Sequence, residues 1–346
     1  MKKYLYIIGL VPLILIAMKL SMYSKEKNHS TITIGFMGDV MIGRMVNEII
    51  PTKNYAYPWG NTLPTLQQLD VRIINLETTL TYHEEKNPKV FNFKALPDRV
   101  KTLQTAHIDI ANLANNHTLD FKETGFIETI ATLDAADIKH VGAGMNAQEA
   151  HKPVITIKNG ITIGIIGYTD NEPTWKAENQ KPGINYISVG DVNTITTQIS
   201  ALRPLVDILI VTSHWGPNMR QRPSQEFIQF AHAIIDAGAD IIHGHSSHVF
   251  QGIEIYKNKV IMYDTGDFID DYAVDPLLRN DQSFLFAVTV SKNGPVSITT
   301  TPVIIANMQV NLATGTEKKE IMNRMQQLSQ EFGTSVSDDG VIIITP

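Results

Sequence analysis

The sequence predicts an α/β fold, because short apolar segments rich in β-branched residues alternate along the chain with segments of helical periodicity. The segment Val206–Ser213 is almost continuously apolar, as expected for a strand of a parallel sheet that is covered on both faces. Several predicted strands run directly into polar residues such as Asp39 and His214. Because α/β folds place their sites at such strand ends, we expect the chemistry of this chain at the edge of a sheet.

The composition is that of a globular protein. Of the 346 residues, 43% are apolar and 18% are charged, which is enough to build a large core. The formal net charge is −6 and there is no basic stripe, which argues against nucleic acid as a partner. Cysteine is absent, so disulfides, thiolate metal sites and cysteine nucleophiles are excluded. Any bound metal must be held by histidine, carboxylate, amide or backbone oxygen.

The first 30 residues have the order of an export signal, which is basic, then apolar, then polar. Two lysines precede the uncharged run Tyr4–Met18, and the polar segment Ser24–Asn28 follows. We interpret residues 1–24 as an uncleaved membrane anchor and residues 25–30 as a linker, with the body of the protein outside the cytoplasm. The alternatives are a cleaved signal peptide, which gives a secreted or periplasmic protein, and a buried helix of the globular domain.

The body of the chain shows no internal repeat, low-complexity tract or linker. We therefore predict that residues 31–310 form a single domain. Residues 311–346 are predicted to add a helix and a strand as a C-terminal extension.

Three strands are predicted in the first half of the domain, and each leads into polar residues. The strands and the residues that follow them are Thr31–Gly38 with Asp39, Val71–Leu76 with Glu77, and Ile108–Ala114 with Asn115, Asn116 and His117. The polar segment 78–97 is predicted to be a functional loop. A helix from about Phe121 to Ala136 places the Asn115–His117 triplet between a strand and a helix. Taken alone, the triplet is better explained as a turn and a helix cap.

The second half is predicted to contain a hairpin, which Asn159-Gly160 indicates strongly, and further strands and helices. In chain order we predict the strands Pro153–Ile157 and Ile161–Tyr168, the helix Asp191–Leu202, the strand Val206–Ser213, the helix Ser224–Ala237, the strands Asp240–Ile242, Val249–Tyr256, Val260–Tyr263, Phe284–Ser291 and Val296–Ile305, the helix Glu317–Phe332 and the strand Val341–Ile344. Two of these strands run into histidines, the first into His214 and the second into His243, His245 and His248.

Five predicted strands thus end at residues of the types that bind metals. These residues are Asp39, Glu77, Asn116, His214 and His245. In an open parallel sheet the carboxyl ends of the strands lie along one edge, so these side chains are expected to meet there. Carboxylate, amide and imidazole groups suit divalent zinc, manganese or iron. Because turn formation alone does not explain all five, the sequence predicts a divalent metal site.

Six short motifs occur in order along the chain: Gly38-Asp39-Val-Met-Ile-Gly-Arg44, Asn75-Leu-Glu77, Asn115-Asn116-His117-Thr-Leu-Asp120, His214-Trp-Gly216, Gly244-His245-Ser-Ser-His248 and Tyr263-Asp-Thr-Gly-Asp-Phe268. As a set they resemble the CapA/PgsA family of capsule and poly-γ-glutamate biosynthesis proteins. The resemblance extends from Thr31 to about Ile305. Because that family is similar in fold to the calcineurin-like metallophosphatases, the resemblance implies a layered α/β/β/α sandwich.

The resemblance also implies a centre of one or two divalent ions of manganese, zinc or iron. Asp39 and His248 would hold one metal, and Glu77 would bridge it to the other. The remaining ligands of the other metal would be Asn116, His214 and His245. Two cations a few ångströms apart can polarise a scissile group and activate water, which is hydrolase chemistry.

The other motif residues are assigned to catalysis or to substrate binding. The resemblance makes His117 the acid that protonates a leaving group. Arg44 would bind a phosphate or carboxylate of the substrate and support catalysis, because its guanidinium can bond either group through two N–H donors. Further substrate contacts are assigned to Asn75, Asp120, Trp215 and Asp267.

The chain departs from the metallophosphatase pattern at several of these positions. Met41 stands where those enzymes have a histidine, and His245 and His248 are separated by two residues where one is usual. A single-metal site is therefore an alternative, as is a centre in which His243 replaces a missing ligand. We expect Asp270 and Asp271 to lie in a solvated acidic loop.

The sequence therefore predicts a membrane-anchored, extracytoplasmic protein that acts on an anionic surface polymer such as poly-γ-glutamate through a metal-dependent hydrolase-like site. The bond acted on would be a phosphoester or an amide. Other membrane proteins of capsule synthesis are expected as partners. A general metal-dependent phosphoesterase and a non-catalytic polymer-binding assembly subunit are the alternatives.

Overall fold

The computed structural model describes residues 31–345. The strands in this part of the chain are β1 (Ile32–Val40), β2 (Val71–Leu76), β3 (Thr79–Leu80), β4 (Lys94–Ala95), β5 (Ile110–Asn112), β6 (Lys139–Val141), β7 (Ala143–Gly144), β8 (Val154–Lys158), β9 (Ile161–Thr169), β10 (Gly183–Ile184), β11 (Ile208–His214), β12 (Ile241–His245), β13 (Ile253–Tyr256), β14 (Lys259–Met262), β15 (Asp267–Ile269), β16 (Gln282–Ser291), β17 (Gly294–Ala306), β18 (Gln309–Leu312) and β19 (Val341–Ile343).

The α-helices of the same part of the chain are mostly short. They are α1 (Arg44–Ile49), α2 (Leu63–Gln67), α3 (Val100–Thr105), α4 (Lys122–Ala135), α5 (Ala147–Ala150), α6 (Val192–Leu202), α7 (Gln225–Asp236) and α8 (Gly315–Gln330). Brief 3₁₀ turns join several of these elements. The mixed α/β class predicted from the sequence is confirmed.

Most of the strands belong to two large sheets. The first sheet has nine strands, with the order β18-β17-β16-β1-β2-β5-β6; β15 also pairs with β1, and β19 with β17. The second has six strands, with the order β13-β14-β12-β11-β9-β8. The neighbours β1, β2 and β5 are parallel in the first sheet, and β9, β11, β12 and β14 are parallel in the second. Each sheet therefore has an edge at which the carboxyl ends of several strands collect.

The two sheets face each other across a shared apolar core. Ile73 of β2 and Ile210 of β11 belong to one buried cluster between the sheets. The next residues along these strands, Ile74 and Val211, point the opposite way and pack in two separate clusters. This alternation is the two-residue period of a strand, and it explains why both strands are apolar throughout.

Helices cover the outer face of each sheet. Phe126 and Leu133 of α4 pack with the outer face of the first sheet, and Ile199 of α6 and Ile234 of α7 pack with that of the second. The layers are therefore helix, sheet, sheet, helix. Because the apolar faces of both sheets are buried, their carboxyl edges are the parts of the strands that remain available for a site.

The C-terminal segment is built into the same core. β18 and β19 both pair with β17, and Ile321 and Met325 of α8 lie in the cluster between the sheets. The boundary predicted at residue 310 falls inside β18.

The anchor predicted at residues 1–24 and the linker at residues 25–30 lie outside the described residues. Within residues 31–345, no helix combines the length and the apolar character that crossing a bilayer requires.

Candidate metal centre

β1 and β2 place two buried carboxylates side by side. Asp39 lies near the end of β1, and it pairs with Asn75 of β2 after an irregularity in the register between Phe36 and Asp39. Glu77 is the first residue after β2, and its N–H donates to the Val40 carbonyl at 3.1 Å. Because the two strands are parallel neighbours, both carboxylates lie at the same edge of the nine-stranded sheet.

β11 and β12 place two histidines at the corresponding edge of the six-stranded sheet. His214 ends β11, His245 ends β12, and the two are direct cross-strand partners with their Nδ1 atoms 3.0 Å apart. His248 follows in the next loop, where Ser246 and His248 have φ values of 116° and 61°. Positive φ is uncommon for residues other than glycine, and here it turns the backbone so that a third imidazole joins the site.

The side chains from the two sheets meet in a set that we call the ligand cluster: Asp39, Glu77, His214, His245 and His248. The first ligand group within it is Asp39, His214 and His245, and the second is Asp39, Glu77 and His248. Asp39 Oδ1 lies 3.7 Å from His214 Nδ1 and 3.6 Å from His245 Nδ1. The other oxygen, Oδ2, lies 3.4 Å from His248 Nδ1. The carboxylate of Asp39 is therefore shared by both groups.

This sharing differs from the ligand sets that the resemblance implied, in which Glu77 alone bridges. Asp39 takes the shared position because β1 contacts β12 of the other sheet. Glu77 belongs to the second group only, although its Oε1 also lies 3.7 Å from His214 Nε2. Asp39 is therefore the carboxylate that both groups of the described residues share.

The ligand cluster contains buried oxygens that no hydrogen bond satisfies among residues 31–345. They include Asp39 Oδ2 and Glu77 Oε1, and the amide oxygen of Asn116 is also in this state. A buried carboxylate oxygen without a partner is costly unless a cation is bound to it. These residues therefore fit a divalent cation, and Asn116 keeps an oxygen free to act as a ligand.

The protonation states of two of the histidines, His214 and His245, agree with this. Burial lowers the pKa of His214 and holds that of His245 well below its usual value, so both rings are neutral. Neutral imidazole is the form that binds a metal. His248 differs, because Asp267 and Asp39 outweigh burial and raise its pKa well above the usual value.

The pKa values of the two carboxylates of the ligand cluster are shifted in opposite directions. Burial would raise the pKa of Asp39, but His214 and His248 hold it well below its usual range. Burial and the neighbouring charge of Asp39 raise the pKa of Glu77 to about 8. A cation at the cluster would oppose both effects on Glu77, because it favours the ionised form of a carboxylate.

His117 is held by a carboxylate and an aromatic ring. Its Nδ1 lies 2.6 Å from Asp120 Oδ2, and the ring stacks on Phe93 at a centroid distance of 3.8 Å. Its Nε2 lies 3.9 Å from Glu77 Oε1, so this nitrogen faces the ligand cluster. Burial lowers the pKa of His117 to about 4, although Asp120 acts against that shift. His117 is thus neutral at pH 7, and the role of proton donor stays a prediction.

Asn115, to which the sequence assigned no role, supports the second strand end. Its amide nitrogen donates to Asn75 Oδ1 at 3.1 Å and to the Leu76 carbonyl at 2.9 Å. Its oxygen accepts from the backbone N–H of His117 at 3.0 Å. The triplet therefore fixes the loop after β5 to the end of β2.

Three of the four residues assigned to substrate binding beside Arg44 contact the ligands or His117. Asn75 donates to Asp39 Oδ1 at 2.7 Å, Asp120 holds His117, and Asp267 Oδ1 lies 2.9 Å from His248 Nδ1. The fourth, Trp215, donates through Nε1 to the carbonyl of Tyr263 and lines a different cavity. All four side chains are buried, and their role in substrate binding stays a prediction.

Arg44 does face an opening beside the ligand cluster. We call it the aromatic cavity; its volume is about 370 Å³, and its lining includes Arg44, Phe91, Phe93, His117, Met219, His248 and Tyr272. The guanidinium of Arg44 bonds Asp271 through Nε at 3.1 Å and lies 5.2 Å from the centre of the Phe93 ring. Its side chain is 33% exposed, which leaves N–H donors for an anionic group in the cavity.

Asp270 and Asp271 are not in a solvated loop. Asp270 is 6% exposed and accepts from the Tyr272 N–H, and the carboxylate of Asp271 is buried against Arg44. The expectation from the sequence was wrong because it considered the charge of the loop without the arginine that meets it.

His243, which was offered as a replacement for a missing ligand, belongs to neither ligand group of the described residues, and Met41 is not a ligand either. His243 has a threonine hydroxyl 3.2 Å from each ring nitrogen, Thr212 at Nδ1 and Thr265 at Nε2. The sulfur of Met41 accepts from the Gly43 N–H, and its side chain is in the core.

Two further residues touch the site. The sequence suggests Tyr272 as a wall of the pocket, and it does line the aromatic cavity, but its donation to Glu77 Oε2 at 3.1 Å was not foreseen. Lys89, which sequence reasoning missed, binds the carbonyl of Asn116 and lies 3.0 Å from Asp120 Oδ1. Both residues come from loops separate from those of their partners, so no spacing signal could have joined them.

A family model described as bacterial capsule synthesis protein PGA_cap matches residues 33–272. The chain belongs to this family. The resemblance stated from the motifs is therefore confirmed. A probable polyglutamine synthesis accessory protein of Mycobacterium tuberculosis is 31% identical over 92% of this chain and 97% of that protein. Capsule biosynthesis protein CapA of Bacillus anthracis is 30% identical, over 81% of this chain and 69% of the relative. PGA biosynthesis protein CapA of Bacillus subtilis strain 168 is 30% identical, over 81% and 73%.

Two nucleotidases are among the solved structures to which the PGA_cap chain is similar. The NAD nucleotidase of Haemophilus influenzae has a TM-score of 0.45 and 12% identity, covering 86% of this chain and 56% of that one. The 5'-nucleotidase precursor of Thermus thermophilus has a TM-score of 0.44 and 14% identity, covering 87% and 59%.

Proposed function

We propose that this chain acts in making, exporting or trimming an anionic surface polymer such as poly-γ-glutamate, through metal-dependent hydrolysis or transfer at its ligand cluster. Membership of the capsule synthesis family supports a polymer substrate, as do relatives named for capsule, PGA and polyglutamine synthesis. The bond acted on would be the γ-linked amide. We further propose that the body lies outside the cytoplasm on an anchor at residues 1–24, beside other membrane proteins of capsule synthesis.

The catalytic part rests on the convergence of five metal-ligand side chains, four of them buried and His248 partly exposed, next to an open cavity with an arginine. A structural role alone does not require unsatisfied carboxylate oxygens beside neutral imidazoles. The cavity joins this cluster to the Arg44 guanidinium, whose Nε and Nη2 bond Asp271 and whose Nη1 is left for another anion, so it offers a place for a substrate that carries carboxylates.

In the proposed reaction the ligands and Arg44 have separate roles. Asp39, Glu77, His214, His245 and His248 would hold one or two divalent cations. When bound, such a cation supplies Lewis acidity, which polarises the scissile carbonyl and makes water a better nucleophile. Arg44 binds and orients the substrate carboxylate, and the aromatic walls of the cavity exclude water around it.

His117 donates a proton to the leaving nitrogen. Asp120 fixes the ring through Nδ1, so Nε2 is the atom directed at the reaction. A substrate carboxylate in the aromatic cavity would raise the pKa of His117, because a nearby negative charge favours the imidazolium. The protonated ring would then be populated when substrate is bound.

The test compares γ-linked glutamate oligomers with a generic phosphodiester, each incubated with the full chain and Mn²⁺. We expect shortened oligomers from the native protein, none from His214→Ala, and normal amounts from His151→Ala, a control histidine outside the ligand cluster. Turnover of the phosphodiester alone would favour a general phosphoesterase. Binding of the oligomers without turnover would favour an assembly subunit.

The proposed location has its own test. Protease added to intact cells should degrade the body of the protein if that body is extracytoplasmic. Full protection of the body in cells with an accessible surface would contradict the proposal.

A further inference from the structure

We propose that Tyr272 is a positioning residue that controls cation loading of the second ligand group, Asp39, Glu77 and His248, and not of the first. The proposal rests on the metal centre of the proposed function but not on the polymer as substrate. It also bears on the choice between one and two metals, because the two groups share only Asp39.

The hydroxyl of Tyr272 holds one oxygen of Glu77 and leaves the other free. It donates to Oε2 at 3.1 Å, whereas Oε1 has no hydrogen-bond partner among residues 31–345. Oε1 instead faces the nitrogens of His214 and His117, at 3.7 and 3.9 Å. A carboxylate fixed at one oxygen presents the other in a defined direction, which lowers the entropy lost when that oxygen coordinates a cation.

The ring of Tyr272 packs on the other member of the same group. It meets the His248 ring edge-on, at a centroid distance of 5.1 Å and an angle of 74°. Phe93 and Arg44 contact the ring at 5.8 and 5.6 Å, and the backbone N–H is bonded to Asp270 at 2.8 Å. The hydroxyl is therefore delivered by a side chain that contacts outside the ligand cluster hold in place.

The first ligand group has supports of its own. The Thr212 hydroxyl lies 3.1 Å from His245 Nε2, and the Asn75 amide bonds Asp39 Oδ1 and lies 3.2 Å from His214 Nδ1. Neither His214 nor His245 is among the hydrogen-bond or ring contacts that the structure gives for Tyr272. Loss of the Tyr272 hydroxyl should therefore weaken one group only.

The experiment titrates the full-length, metal-free protein with Mn²⁺ alone and follows stoichiometry and affinity by calorimetry. Native protein should bind two Mn²⁺ per chain. Tyr272→Phe keeps the packed ring and removes only the hydroxyl, so it should retain one site of native affinity and weaken the other by about 10- to 100-fold, the usual effect of losing a hydrogen bond to a metal ligand.

Tyr263→Phe is the matched control, because its hydroxyl also donates to a glutamate, Glu254, at 2.5 Å, but outside the ligand cluster. It should bind both Mn²⁺ ions as the native protein does. Equal loss at both sites in Tyr272→Phe, titrations identical to those of Tyr263→Phe, or a native chain with at most one site would overturn the proposal. Native protein that binds two ions but leaves glutamate oligomers intact would contradict the proposed reaction instead, and leave the role of Tyr272 standing.

Discussion

At the residue scale, the centre depends most on Asp39, because its two carboxylate oxygens face different imidazoles. No other member of the ligand cluster belongs to both groups formed by the described residues. Loss of its charge should therefore affect both cation positions, whereas loss of a histidine affects one.

We predict that Asp39→Asn lowers the affinity of both positions and leaves the dialysed protein with almost no metal. The amide keeps the size of the side chain and still accepts from Asn75, but it removes the negative charge that a pair of cations requires. Elemental analysis after dialysis against dilute Mn²⁺ measures this. Retention of two ions would show that Glu77 supplies the shared ligand.

Asp170, at the end of β9, gives a prediction for pH that is separate from the metals. Its carboxylate accepts from the Gly216 N–H at 3.1 Å, and burial raises its pKa to about 6 from an ordinary 3.8. The native state therefore binds more protons than the unfolded chain between these pH values, so stability falls as the pH rises through them and is then constant.

Asp170→Asn should remove this cost, because an amide oxygen can still accept from Gly216 and has no charge to bury. We expect a gain of about 3 kcal/mol in the free energy of unfolding at pH 8, because each pKa unit corresponds to about 1.4 kcal/mol, and less than about 1 kcal/mol at pH 4. Urea denaturation at the two pH values measures it. An equal change at both would mean that the charge of Asp170 is not responsible.

At the scale of elements, the position of Asp39 depends on a close approach between β1 and the turn before β15. The Asp39 N–H donates to the Gly266 carbonyl at 2.9 Å. A Cβ on Gly38 would lie 1.7 Å from that same carbonyl oxygen, so only glycine fits there. The contact is backbone against backbone, and no side chain can rotate to relieve it.

We predict that Gly38→Ala destabilises the fold by about 3 kcal/mol, the upper part of the usual range for overpacking, because it pushes β1 away from the turn. Gly190→Ala is the control, since its Cβ would meet only the Ser188 hydroxyl, at 3.7 Å. Chemical denaturation of both variants measures their free energies of unfolding. Equal midpoints for the two would show that β1 can shift without cost.

The sequence predicted the elements that carry the site better than their arrangement. The predicted strand Val71–Leu76 has the observed bounds, and the helix expected at 121–136 is found as Lys122–Ala135. These segments have a clear period and definite ends. The third strand was drawn too long: β5 ends at Asn112, so the Asn115–His117 triplet lies in the loop beyond it.

The apolar period of a strand does not show which strands pair with each other. The five strand ends were expected along one open sheet, but Asp39 and Glu77 come from the nine-stranded sheet, and His214 and His245 from the six-stranded one. The contact of Tyr272 with Glu77 was hidden for the same reason, because it joins residues 195 positions apart. Tertiary pairing, not local sequence, determines both.

At the scale of the whole molecule, the ligand cluster lies between the two sheets and takes ligands from each. A bound cation therefore links β1 and β2 to β11 and β12 in addition to any catalytic role. Because unfolding separates the sheets and destroys both ligand groups, a cation that binds only the folded chain must stabilise the entire domain.

We predict that removal of metal with a chelator lowers the free energy of unfolding by about 2.7 kcal/mol for each bound cation, relative to protein in free Mn²⁺ at 100 times the dissociation constant of that site. Thermal and urea denaturation with and without chelator measure the difference. Asp39→Asn is the control, since it should unfold at the same midpoint in both conditions. If native protein loses its metal without any loss of stability, the cation does not link the two sheets. In that case separating the ligands of β1 from those of β12 would not require breaking cation contacts.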